Sequence, residues 1–411
     1  MIELLHTEPV AGLSRLTRIA HPQLVVAWIT LFVVGTDLFV VSPLIPLIAD
    51  MVRSDAAHTG LLVTVFACAY ALAAPVFGHV ADRLGRRKVL LCCLGVFAGA
   101  NVATAMAANL PQLLAIRLVC GIAAAGVTPS IYSLLGDTAP PGHRGRWIAV
   151  GVTGLLSALP LGATAGAWAS ARLGWESVFL AIGCAALMLL ALNAVAWPRA
   201  MGASRREMAA ADTFALLPLM RALLPTVAWS AGLYGMYTYL GAGLTAAGYT
   251  TPQITATMFL YGSAAFTGAL IGGRIADRLG PPVAIRIGLS ALAIAFAVLE
   301  IALRSQVLVV GAVGLTSIVA QVFFPAQQAS LIATFHDRRS AALSWNNSAL
   351  FLGMTLGSFL GSQVMARAGF SAIPAMSALL ACFALLICPS LSGKPLVSAA
   401  RDMPRMLLGR G

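Results

Sequence analysis

Charge is what this chain has least of. Of its 411 residues only 10% are Asp, Glu, Lys or Arg, while 59% are hydrophobic and the mean hydropathy is +0.89. Soluble domains carry about 25% charged residues, so water is not the main solvent of this protein. Other absences narrow the function. The six histidines (His6, His21, His58, His79, His143 and His336) fall in tails and loops, and none pairs with another ligand at metal-binding spacing. The seven cysteines lie in apolar stretches without a CxxC pair, which argues against both a metal centre and a disulfide framework. No Walker loop is present, so ATP is not the expected energy source, and no reactive cluster points to an enzyme. The first twenty residues lack the pattern of a cleaved signal peptide.

What fills the chain is a series of long apolar stretches. At roughly 20 residues per bilayer crossing, they divide into twelve expected spans, at about 24–49, 57–80, 88–107, 111–136, 146–169, 175–198, 214–245, 253–274, 282–302, 306–333, 340–366 and 369–391. The connections are short and leave no room for a separate soluble domain. The net charge of +12 is distributed by side. With the N-terminus placed in the cytoplasm, 21 of the basic residues fall on the cytoplasmic side and 4 on the other, with Arg117 inside a span. Such a bias sets orientation, so both termini are expected in the cytoplasm of a cell with a bacterial-type inner membrane. The same bias explains the charge without nucleic acid, and the expected partners are the lipid bilayer, a small-molecule substrate and protons, with the chain a monomer.

One segment recurs. Gly78-His79-Val80-Ala81-Asp82-Arg83-Leu84-Gly85 returns 195 positions later as Gly273-Arg274-Ile275-Ala276-Asp277-Arg278-Leu279-Gly280, with six of eight residues identical. Parallel halves related by an axis along the membrane normal are a known transporter architecture. The expected fold is therefore an all-α membrane protein of twelve transmembrane helices in two pseudo-symmetric six-helix bundles. Residues 1–198 would form the first bundle, 199–213 a cytoplasmic linker, and 214–411 the second bundle with a short basic tail.

Asp37 is the outstanding site candidate, because it interrupts the first span near its middle. A charge there costs about 2.5–3.5 kcal/mol even on the lenient insertion scale. It persists if it faces water and exchanges a proton, or if it serves as a structural ion pair or helix break. Arg117 can act on Asp37 by proximity, reach an anionic group of a substrate, or snorkel to the interface. In the second half Tyr234, Tyr237, Tyr239, Tyr261, Gln321, Phe324, Gln327, Asn346 and Asn347 form a polar-aromatic set. Such a set can line a cavity that holds amphipathic molecules by surface contact more than by charge, or can join helices to one another. Glycines every fourth residue, Gly353, Gly357 and Gly361 in span eleven and Gly162 and Gly166 in span five, make smooth faces for static close packing or for sliding between halves. Gly78, Asp82, Arg83, Gly85 and Arg86 form the first inner loop, where Asp82 can cap the start of span eleven near Arg339.

These residues carry a family resemblance over nearly the whole chain. The loop from Gly78 to Lys88 resembles the signature loop of the major facilitator superfamily, and its degenerate copy around Asp277 stands where that superfamily has one. Arg117 with Gly121 resembles its second motif. Gly154 to Gly162, followed by Gly166 and Gly174-Trp175, looks like the span-five motif of antiporters, with Leu159 where that pattern has glycine before Pro160. Spans one and seven look most like those of twelve-span drug:proton antiporters and arabinose-efflux-permease-like exporters. The resemblance implies that Arg117 takes part in proton coupling, beside Asp37 as the carboxylate its mid-span position suggests, and a charge relay from Arg86 to Asp137 that latches one conformation. It also implies export of small amphipathic compounds by proton antiport, driven by the proton gradient with no bound cofactor. Export of a sugar, nucleoside or other metabolite is the alternative cargo, and a non-transporting membrane sensor the alternative class.

Overall fold

The computed structural model describes residues 21–140, 142–198, 216–335 and 339–388. The expected linker and most of the basic tail lie outside them, as do the side chains of Asp82 and Arg339. Helix dominates because a chain without water around it must satisfy every backbone group within its own segment. The first six spans are α1 (Pro22–Val52), α2 with α3 (Ala56–Thr59 and Leu61–Leu84), α4 (Arg86–Ala105), α5 (Leu110–Thr138), α6 with α7 (Arg144–Ser157 and Ala163–Leu173), and α8 (Trp175–Ala196). The second six are α9 (Leu216–Ala246), α10 (Thr251–Leu279), α11 (Pro281–Ala302), α12 (Gln306–Thr334), α13 (Arg339–Ala368) and α14 (Ile373–Ile387). No strand occurs among the described residues.

Counted over the described residues alone, eleven of these segments are long and apolar enough to cross a membrane. The remaining span, α9, has 31 residues. From Ala228 to Leu244 nearly every residue of it is buried among other helices, so its tyrosines and glycines meet protein rather than lipid. Span five also departs from a plain helix. Between α6 and α7 runs a π-helical turn, Ala158–Gly162, centred on Pro160, whose ring removes a backbone donor and disrupts the regular ladder.

The two copies of the repeated octapeptide end in the same turn. Gly85 closes α3 at φ 93° and Gly280 closes α10 at φ 83°, and each N–H returns to the carbonyl four residues back, at Ala81 and Ala276. An L side chain resists that backbone region, so glycine lets the next helix begin at once.

Two large apolar clusters form the interior. One draws on α1 and α3–α8, with Leu31, Phe66, Phe97 and Leu134 fully buried; the other draws on α9–α12 and α14, with Trp229, Phe296, Phe323 and Ile373. Lipid tails are as apolar as leucine, so close packing rather than water exclusion must hold helices together in a bilayer. The glycine faces supply it. A Cβ on Gly357 would stand 2.1 Å from the Ala231 carbonyl oxygen of α9, and one on Gly162 would stand 2.1 Å from Thr36 Oγ1 of α1. Both stripes therefore pack against helices on their own side of the chain, which is the static reading of the pattern. Cross-chain approaches occur elsewhere, at Gly262 of α10 against Pro160 and at Gly241 of α9 against Ser42 and Pro43.

Candidate functional site

Asp37 and Arg117 form an ion pair inside the first cluster. Arg117 Nη1 donates to Asp37 Oδ1 at 2.7 Å and Nη2 to the Asp37 carbonyl at 3.4 Å. Their side chains are 0% and 1% exposed. The guanidinium lies over the Phe66 ring, 4.5 Å from its centroid, which supports the cation on a second face. Asp37 Oδ2 and Arg117 Nε have no hydrogen-bond partner among the described residues. In this conformation the carboxyl is neither turned to lipid nor open to the cavity beside it.

That cavity, of about 180 Å³, lies between the two sets of spans. α1 contributes Leu38 and Phe39; α5 gives Tyr132; and span five gives Val152, Leu155, Leu156 and Leu159. From the second set come Trp229, Leu233, Tyr234 and Tyr237 of α9, Tyr261 and Phe266 of α10, Gln321, Phe324 and Gln328 of α12, and Asn347, Leu350 and Phe351 of α13. No charged side chain lines it among the described residues. Tyr237 and Tyr261 stack at 5.0 Å, and Trp229 stacks with Phe324 at 5.7 Å. The walls thus offer aromatic faces, phenols and amides.

Six residues of the polar-aromatic set reach the cavity: Tyr234, Tyr237, Tyr261, Gln321, Phe324 and Asn347. Three do not. Gln327 donates to the Ala222 carbonyl at 2.7 Å, Asn346 accepts from Thr226 at 2.7 Å, and both bonds tie helices of the second half together. Tyr239 lies nearer the end away from the basic loops. Its hydroxyl donates to the Ser358 carbonyl at 3.0 Å and lies 3.4 Å from the Ala57 carbonyl, while its ring fills the space a side chain on Gly60 would need. Helical phase was the signal that could have separated them. Gln321, Phe324 and Gln328 share a face that Gln327 leaves, Asn347 and Phe351 share one that Asn346 leaves, and Trp229, Leu233 and Tyr237 share one that Tyr239 leaves. Sequence reading also passed over the apolar wall supplied by the first half and over Tyr132.

The ends differ. Away from the basic loops the halves meet through Tyr239 and through Thr64 and Ser358, whose hydroxyls are 2.8 Å apart. Asp55 in the same region caps α2, and its carboxyl is held below the usual aspartate value, first by the backbone N–H of His58. At the basic end Arg86 is ion-paired with Asp137, joining α4 to α5, and Asp277 is exposed. Arg83 and Gly78 belong to the final turns of α3. We expect Tyr239→Phe, which keeps the ring and removes the hydroxyl that reaches the Ala57 carbonyl of the first half, to weaken this closure by about 0.5–1.5 kcal/mol. Faster labelling of a cysteine placed at Ser42 would report it, and unchanged labelling would remove Tyr239 from the closure.

Helices spanning a bilayer in two sets around a polar-aromatic cavity, closed at one end, define a membrane transport protein. The Major Facilitator Superfamily profile matches residues 27–303 and 236–398, and the chain belongs to that superfamily. Two Bacillus subtilis (strain 168) proteins, the uncharacterized MFS-type transporters YceJ and YbcL, are 27% and 26% identical over 360 and 352 residues. Those matches take in 85% of this chain in each case, and 91% and 90% of the relatives. Among solved structures, a D-xylose-proton symporter matches with a TM-score of 0.75 at 16% identity, over 91% of this chain and 99% of that one. The human organic anion transporter MFSD10 matches at 0.68 and 20% identity, over 90% and 99%. At such identities these structures speak to the fold.

Proposed function

We propose that this transporter exports small, uncharged amphipathic compounds by proton antiport, with the basic loops and both termini in the cytoplasm of a bacterial-type inner membrane. The observation that carries the cargo class is the cavity wall, which holds stacked aromatics and three amides and no charged side chain among the described residues. A wall of that kind binds by surface contact and a few hydrogen bonds. With the basic end inside, the closed end faces outward, and the two six-helix halves, 1–198 and 214–411, rock about the cavity. Gly78, Asp82, Arg83, Gly85 and Arg86 of the inner loop, with Asp137 and the repeat at Asp277, act as its latch.

Asp37 is the proton carrier and Arg117 its counter-charge. A proton crossing 100 mV supplies about 2.3 kcal/mol, and each pH unit adds about 1.4 kcal/mol. Together these sustain a cargo gradient of several hundredfold without a bound cofactor. Coupling one proton to an uncharged cargo moves net charge, so the cycle responds to voltage. A similar fold is solved for a D-xylose-proton symporter, and a sugar-like or other metabolite is the alternative cargo class.

The test has two stages. Growth of cells with and without the protein, across uncharged and cationic antimicrobials and metabolites, identifies the cargo; protection confined to cations would overturn the cargo class. In proteoliposomes loaded with that cargo, an imposed pH gradient should drive flux at least tenfold above background. Asp37→Asn should reduce it to background, and full flux in that variant would remove Asp37 from coupling.

A further inference from the structure

Asp37 does not line the cavity, although the next two residues do. On a helix, consecutive side chains diverge by about 100°, so α1 shows its carboxyl to one environment and Leu38 and Phe39 to another. The carboxyl side is the interior of the first half. The pair partner Arg117 is there, its guanidinium over the Phe66 ring, and the buried Cys120 follows three residues along α5. None of these three lines the cavity.

Two hydrogen bonds tie the cavity side of α1 to Tyr237 of the second half. Tyr237 donates its hydroxyl to the Phe39 carbonyl at 2.9 Å, and the Tyr237 carbonyl accepts from Ser42 Oγ at 2.5 Å. The same tyrosine stacks its ring on Tyr261 in the cavity wall and meets Phe39 edge-on at 6.0 Å. One side chain therefore touches cargo space with its ring and the α1 backbone with its hydroxyl. Two residues upstream, the Asp37 carbonyl is held by Arg117.

We propose that proton and cargo occupy separate sites on opposite faces of α1, bind without displacing one another, and are coupled through Tyr237 as a positioning residue. This rests on the reading of Asp37 as the proton carrier. A proton taken from water forms an O–H bond at Asp37 Oδ2, the oxygen without a partner, and the carboxyl loses its charge. The charge-assisted bond to Arg117 weakens, the Asp37–Phe39 segment shifts, and Tyr237 carries that shift to the cavity wall. Release of the proton to water reverses each step.

Two binding sites linked by a finite coupling energy give a saturating effect, whereas competition does not saturate. The uncharged dye Nile red, bound to the full-length protein in nanodiscs and read by energy transfer from tryptophan, distinguishes them between pH 4.5 and 9. The wild type should show two plateaus of Kd differing by about 5- to 150-fold. Tyr237→Phe, which keeps the ring in the cavity wall and removes only the bond to the Phe39 carbonyl, should compress that ratio below about twofold. Ser42→Ala, which removes the other bond between the same helices, should compress it in part. A Kd that keeps rising tenfold per pH unit without a second plateau would overturn separate sites, and an unchanged ratio in Tyr237→Phe would overturn its role. Asp37→Asn should bind the dye at one Kd at every pH, equal to the wild-type low-pH plateau. A pH-dependent Kd in that variant would instead overturn the assignment of the proton to Asp37, which separates the two failures.

Discussion

Arg117→Ala should lower the stability of the purified protein by about 3–5 kcal/mol, because it leaves a carboxylate buried without its partner. The geometry gives the reason. Asp37 is fully enclosed, and the 2.7 Å bond from Arg117 is the sole side-chain bond it receives among the described residues. Thermal unfolding in detergent would show a drop of many degrees. The informative companion is Asp37→Leu with Arg117→Leu, which removes both charges and fills the space with apolar atoms. Replacing a buried pair in this way is often neutral or stabilising, so the double variant should recover most of the wild-type stability and none of the proton-driven flux. Recovery of both would reduce the pair to a structural fastener. A double variant as unstable as the single one would mean that the guanidinium matters chiefly for its packing on Phe66.

The second large effect is expected at the seam between the halves. A Cβ on Gly262 would lie 2.3 Å from Pro160 N and 2.4 Å from Pro160 Cα, and neither atom can swing aside as a side chain would. Gly262→Val therefore forces α10 away from the bent part of span five. Overpacking of this kind costs about 1–3 kcal/mol. Within either half such a penalty only destabilises, but at the seam it falls on the closed conformation alone. A shift of about 5- to 150-fold toward the state open at the end away from the basic loops is expected. Cysteine labelling from that side, at Ser42 or Thr238, would measure it. Labelling no faster than in the wild-type background would show that the two halves do not separate along this line.

Much of the architecture was legible in the sequence because a bilayer enforces simple rules. Span length, sparse charge and the bias of arginines to one side each follow from solvation, and the repeated octapeptide announced the two-fold design. Its equivalent turns at Gly85 and Gly280 have nearly the same φ. The site was less legible. Asp37 and Arg117 stood out because ionisable groups within spans are costly, and they meet in the fold. Tyr239, Gln327 and Asn346 misled because residue type announces that a polar group needs a partner without saying which. Phase along the helix decides whether it faces a cavity or a neighbouring backbone. The leucines of span five were invisible for the opposite reason: in an apolar chain, nothing marks the ones that touch cargo.

The burial of α9 bears on how the protein is made. Its tyrosines and glycines are matched to neighbouring helices rather than to lipid, and close packing is what joins helices within a bilayer. Its glycine-lined partner α13 is synthesised about a hundred residues later. A nascent chain that stops before α13 would therefore leave one face of α9 against lipid that it does not fit.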